Sequence, residues 1–201
     1  MSRRRRLAAL LLFLLCCGRL PAGGIPYDEL PGAFDAPATP LQLGVFPAVA
    51  LFDSGTPVYG AALGMPMLMQ GKVRGIQVGG VAAITGSVIG VTVAPINIYD
   101  ENFGIAIGML NLAAHDFGGG QIGIWNTSLS RDEKSFQLGG VNIAAADGVQ
   151  IGGINVATEN NVQFGIVNRS GSGLQFGLLN YSDNPDAWLP FPLLFNFVPE
   201  N

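Results

Sequence analysis

The sequence predicts an all-β chain, a tandem-repeat β-solenoid of short strands. Three observations lead there. First, "FQLGGVNI" (136–143) and "VQIGGINV" (149–156) are nearly one phrase, thirteen residues apart. Second, the segments between such phrases are turn chemistry: "TGS", "YDEN", "HDFGGG", "SRDEKS", "AADG", "TENN", "SGSG" and "SDNPD", the letters of solvated turns. Third, Gly makes up 29 of 201 residues while charged residues reach only 12%, against usual shares of ~7% and ~25%. With 49% hydrophobic residues, this is a packing composition with close backbone approach, not a disordered one.

The chain opens with a positive segment, Arg3 to Arg6, and an apolar run, Leu7 to Leu15. That run is far short of the ~20 residues needed to span a bilayer and has the layout of a secretory signal. Ala22 and Gly24 fit the small-x-small rule for cleavage after Gly24, so residues 1–24 are expected to be a signal peptide. A rival reading takes Leu14-Leu15-Cys16-Cys17 as a loose lipobox with Cys17 lipidated, although Cys16 departs from the usual Gly, Ala or Ser at that position. Both cysteines lie in this segment, which leaves the remainder without a disulfide or thiol chemistry. Removing residues 1–24 takes away five of ten basic residues and none of fourteen acidic ones, for a net charge of −9. Such a balance argues against nucleic acid and against anionic lipid as partners.

Residues 25–70 hold seven of the thirteen prolines and no clear phrase. They read as a Pro-rich lead-in and N-terminal cap, with "LQLGVFPA" (41–48) and "ALGMPM" (62–67) as decayed candidate units. Residues 71–184 form the array, with the grammar h-Q-h-G-h-h-N-h, numbered here as slots 1 to 8. The Gln slot holds Gln77, Thr92, Ala106, Gln121, Gln137, Gln150, Gln163 and Gln175. The Gly slot, two residues on, holds Gly79, Ala94, Gly108, Gly123, Gly139, Gly152, Gly165 and Gly177. The Asn slot, five residues on, holds Ala82, Asn97, Asn111, Asn126, Asn142, Asn155, Asn168 and Asn180. Self-similarity at this fidelity is a tandem array.

Slots 1 and 3 alternate with Gln in strand fashion. Slots 6 and 8 alternate with Asn, one residue out of phase. A straight strand cannot put slots 1, 3, 6 and 8 on one side, whereas a bend at the Gly can. Gln and Asn then point away from the apolar side, as outward rows. In a solenoid identical slots stack, so Gln meets Gln and Asn meets Asn, exchanging amide hydrogen bonds along the axis. Either one phrase or two phrases make a coil. The alternative fold is an antiparallel β-meander closed into a barrel, but membrane strands keep ~9–11 residues with one unbroken apolar face, and here the alternation breaks in every phrase. Residues 185–201, with the Pro-broken run "WLPFPLLFNF" (188–197), read as an aromatic C-terminal cap over the open end.

The phrases "GIQVGGV", "VQIGGINV" and "LQFGLLN", with the closing "LPFPLLFNF", resemble the bacterial surface-repeat proteins of the Leptospira type, which are built on G-h-Q-h-G-h-h-N tandem units. The likeness covers roughly residues 75–197. It implies a cell-surface or envelope location and carries no activity or functional residue that could be transferred. Thr92 and Ala106 depart from its pattern and would interrupt a continuous Gln ladder.

Catalytic chemistry finds little to build on. His115 is the one histidine, beside Asp116 in a turn, far from a metal site or a triad. "FGGGQIG" (117–123) lacks the Lys-Ser/Thr of a phosphate loop and belongs to the repeat register. No Asp recurs at a fixed slot as calcium solenoids require, and Asp132 and Glu133 sit between Arg131 and Lys134 as a self-neutralised turn. No cofactor is expected. The expected function is that of a non-enzymatic, exported envelope or cell-surface β-repeat protein, a structural scaffold or a recognition surface. Its candidate contact rows are Gln77, Gln121, Gln137, Gln150, Gln163 and Gln175 with Asn97, Asn111, Asn126, Asn142, Asn155, Asn168 and Asn180, facing a glycan or another envelope protein. An outer-membrane β-barrel or pore is the alternative and a carbohydrate-active β-helix enzyme a third reading. Membrane association would run through a lipid anchor or a barrel.

Overall fold

The computed structural model describes residues 37–45, 49–130, 134–145, 147–182, 184 and 194–199. The expected signal peptide (residues 1–24) with Cys17, and the tip at 131–133, lie outside them. Twelve strands follow one another in a single sheet whose spatial order is their sequence order. They are β1 (Thr39–Val45), β2 (Val58–Met65), β3 (Met67–Gly79), β4 (Ala82–Val93), β5 (Ile96–Ile107), β6 (Leu110–Ala113), β7 (Gly119–Ser128), β8 (Ser135–Ala144), β9 (Gly148–Ala157), β10 (Asn160–Arg169), β11 (Ser172–Tyr181) and β12 (Leu194–Val198).

Every pairing between named strands from β1 to β11 is parallel. The chain is therefore a β-solenoid, and the antiparallel barrel, with the pore built on it, is excluded by strand direction. A parallel neighbour one repeat away needs a return path within each repeat, which closes a coil. Consecutive phrases are direct neighbours: Gln150 stacks between Gln137 and Gln163. One phrase makes one coil, and the arrangement with two phrases per coil is set aside. The stack also begins earlier than the phrase does. Gln42, Ala62 and Gln77 are in register on β1, β2 and β3, so the same coil geometry extends into the Pro-rich segment. At the other end β12 lies antiparallel on β11, with Asn196 opposite Gln175.

The expected bend is present. From β10 to β11 the ladder pairs Gly165 with Gly177, skips a residue, and resumes at Val167 with Leu179. Past the skip, successive side chains both face outward: Ile124 and Trp125, and Leu178 and Leu179, are all exposed. Glycine at the bend is a matter of space. A Cβ on Gly139 would lie 2.1 Å from the Gly123 carbonyl oxygen and 2.6 Å from Asn126 Nδ2. The structure also corrects the Asn register in the first unit, where Ala83 rather than Ala82 stacks on Asn97, because the unit holding "VGGVAA" is one residue longer before that slot.

The polarity of the two sides is the reverse of the expectation. Slots 1, 3 and 6 do share a side opposite Gln and Asn, but that side is the outside. All six array Gln and all seven Asn of the candidate rows are buried, at 0–1% exposure. Apolar side chains line the interior mainly in the wider first coils, where Val58, Ala62, Leu68 and Val73 cluster and Tyr99, Ala106, Ala113 and Phe117 form another group. In the narrower coils from β8 onward the interior is Gln, Asn, Ser and Ala.

Candidate functional site

The candidate site is built by stacking. Parallel pairing places slot 2 of each coil against slot 2 of the next, so an inward amide meets an identical one a strand spacing of ~4.8 Å away. Six successive Asn–Asn bonds result, from Asn97 to Asn180, each 2.8 Å. In each, Nδ2 donates toward the C-terminal coil. The second Nδ2 proton goes to the slot-3 carbonyl of that coil, as from Asn142 to Ile151 O (3.0 Å) and from Asn155 to Phe164 O (3.0 Å).

The Gln ladder runs the other way. Gln137, Gln150, Gln163 and Gln175 each donate Nε2 to the Gln Oε1 of the preceding coil at 2.7, 2.8, 2.7 and 3.2 Å. Their second proton crosses the interior to their own coil's slot-8 carbonyl, Ile143, Val156, Arg169 and Tyr181, at 2.9–3.1 Å. Each Gln thereby ties the strand before the bend to the strand after it. The two ladders have opposed directions, so their side-chain dipoles oppose along the rod.

The N-terminal end of the Gln ladder is Tyr99. Ala106 occupies the next Gln slot, and the freed volume holds the Tyr99 phenol, whose oxygen accepts from Gln121 Nε2 at 2.6 Å. Its ring stacks on Phe117 at 5.9 Å. Burial pushes the Tyr99 hydroxyl well above the usual phenol range, opposed by the hydrogen bond from Gln121. The Gln ladder is interrupted at Ala106 and Thr92, whereas the Asn ladder runs unbroken through those coils.

The candidate contact rows are consequently not a contact surface. Gln77, Gln121, Gln137, Gln150, Gln163 and Gln175, with Asn97, Asn111, Asn126, Asn142, Asn155, Asn168 and Asn180, are interior. Asn126, Asn168 and Asn180, which begin Asn-x-Ser sequences, are buried in the ladder with them.

What faces outward is apolar. Slot 3 forms one row over the whole stack: Leu43, Leu63, Val78, Val93, Ile107, Ile122, Leu138, Ile151, Phe164, Phe176 and Phe195, each in register with the next. Each of them is exposed, by 37–44%. Slot 1 runs beside it, with Leu41, Ile76, Ile105, Phe136 and Phe197 exposed. Beyond the Gly bend, slots 5 and 6 expose Met109, Ile124, Trp125, Ile154, Ile166, Leu178 and Leu179. Among the described residues, no charged side chain occupies slot 1, 3, 5 or 6 of any array coil. At the N-terminal end an apolar groove of about 600 Å³, lined by Leu43, Val49, Leu63, Met65 and Val78 among others, opens onto the same surface.

The charges lie in the turns or on strand positions outside the four apolar slots, as with Lys72 and Arg74 in β3 and Asp100 and Glu101 in β5. His115 Nδ1 contacts the Asp100 carboxylate of the preceding coil, at an exposed turn edge. Asp116, Glu101, Lys134, Asp147 and Glu159 also lie outside the four apolar slots. Among the described residues no group of three or more His, Cys, Asp or Glu could hold a metal ion, and no helix is long and apolar enough to cross a membrane. Comparison with known proteins finds no matching family model, no matching curated protein and no matching solved structure.

Proposed function

We propose that the chain is a non-enzymatic, exported structural protein of the bacterial cell envelope, a stiff rod with an amide core. The observation that carries this reading is the fate of the recurring polar residues. Every repeat invests a Gln or an Asn, and from Asn97 and Gln121 onward those side chains bond to their counterparts in adjacent coils, while Gln77 bonds to Thr85. A buried amide without partners costs about 1–3 kcal/mol, so the recurrence is explained by the rod itself. Export is supported by the arginine-led apolar segment at residues 3–15 and by the likeness of the phrases to surface-repeat proteins.

Fractionation of the producing cell, with mass analysis of the N-terminus, tests the location. The expected outcome is recovery from the envelope, starting at Ile25 or at a modified Cys17. Recovery from the cytosol with residues 1–24 intact sinks the reading.

A further inference from the structure

An apolar exterior along the whole stack, over an interior that is polar from β8 onward, is the arrangement of a chain whose surroundings are not all water. We infer that the rod lies in the plane of a zwitterionic lipid surface, its two apolar faces sunk among the acyl chains and its charged turns in water. The inference rests on the envelope reading for its setting, but its physical basis is separate.

The first argument is extent. Slots 1 and 3 present apolar surface on the order of 1,000 Å² along a rod roughly 50 Å long, beyond the few hundred Å² of an ordinary monomer patch. The second is shape. Slots 1 and 3 form one face and slots 5 and 6 another, and the two meet at the Gly bend as a convex edge. A standard protein interface takes ~800 Å² from each partner, so a second copy seated on one face would leave the other in water. A fluid apolar phase wraps both. The third is hydrogen bonding. Backbone exposed to hydrocarbon must be paired within the protein. Here the strand backbone pairs through the ladder, and the amides pair inside.

The fourth argument is charge. Asp116, Lys134, Asp147 and Glu159 lie between strands, and Lys72 and Arg74 of β3 and Asp100 and Glu101 of β5 lie within strands, all off slots 1, 3, 5 and 6. The net −9 of residues 25–201 disfavours an anionic surface and leaves a neutral one. Depth agrees as well. Slots 1 to 4 span ~10 Å of strand at ~3.3 Å per residue, close to the ~5–10 Å that interfacial amphipathic elements reach.

The test uses the chain as exported, carrying Cys17→Ser so that no acyl anchor forms, with phosphatidylcholine vesicles. Flotation with the vesicles and, in a Trp188→Phe background that leaves Trp125 as the single tryptophan, quenching of its fluorescence by bromine-labelled acyl chains are expected. The double variant Ile124→Glu/Ile166→Glu, at two of the most exposed apolar positions, should keep its β circular dichroism and lose at least tenfold in partitioning. Glu159→Gln at a turn should float as the parent does.

With phosphatidylcholine vesicles three outcomes overturn the inference: a monomer that stays in the aqueous layer, a discrete oligomer that does not float, and flotation that the double variant leaves unchanged. Binding to phosphatidylglycerol vesicles alone would overturn it too. Because purified protein is used, a cytosolic location would defeat the envelope reading without touching this result.

Discussion

At the scale of the residue, the governing fact is that an amide carries both donors and an acceptor. Asn155 accepts from Asn142, donates to Asn168 Oδ1 and donates to Phe164 O. Shortening it to Ala takes one partner from each of those three groups in a place water does not reach. The expected cost is about 4 kcal/mol, from ~1–3 kcal/mol for each group left short of a partner. Ile154, its neighbour, is 45% exposed on the outer face, and Ile154→Ala should cost about 1 kcal/mol or less. Most globular domains would show the opposite order, the apolar truncation being the expensive one. Urea unfolding of the two variants measures the order directly. Equal or reversed losses would mean that the ladder contributes no more than ordinary polar contacts.

At the scale of the element, the strand was legible in its phase but not in its polarity. Slots 1, 3 and 6 opposite Gln and Asn, the Gly bend between them and the like-on-like stacking all follow from spacing. Period-2 alternation is symmetric, however. It says which slots share a side and is silent on which side closes inward, and the usual preference for apolar cores decided wrongly. The physical reason lies in the coil. With repeats of 12–13 residues after β8 the interior admits little more than one side chain per segment, and a stacked amide fills that space with its bonds made. The early extension of the stack was obscured for a different reason, since Ala62 replaces Gln and no Asn precedes Asn97 in its row. Tyr99, which fills the gap above Ala106, carries no signal in the sequence, because a tyrosine in "IYDEN" has no repeat counterpart to mark it.

Tyr99 gives the element its pH dependence. Its hydroxyl titrates above the ordinary phenol value of ~10 in the folded chain because burial disfavours the phenolate. Between the unfolded and folded values the native state therefore holds a proton that the unfolded state has lost, and stability falls as pH rises. The contribution is complete below pH ~10 and fades above it. Urea midpoints should drop from pH 9 to pH 11, and Tyr99→Phe, although less stable at pH 9, should show a shallower drop. An identical slope in the variant would assign the alkaline loss to other groups.

For the whole molecule, each coil touches only its two neighbours, so stability is a sum over coils and the interfaces between them. The repeat is then removable in whole units. Deleting residues 149–161 joins Gly148 to Val162, which takes the place of Val149 in the ladder and keeps glycine where a Cβ would meet the Ser135 carbonyl oxygen. Gln137 then stacks on Gln163 and Asn142 on Asn168, with both ladder directions kept. Deleting residues 148–153 instead joins Asp147 to Ile154 and removes Gln150 and the bend at Gly152, so Asn155 arrives where a turn residue belongs. The thirteen-residue deletion should fold with unchanged β circular dichroism per residue and a modestly lower urea midpoint, and the six-residue deletion should not fold cooperatively. If deletion length made no difference, register between coils would not be what holds the rod, and the amide ladders would be its consequence rather than its cause.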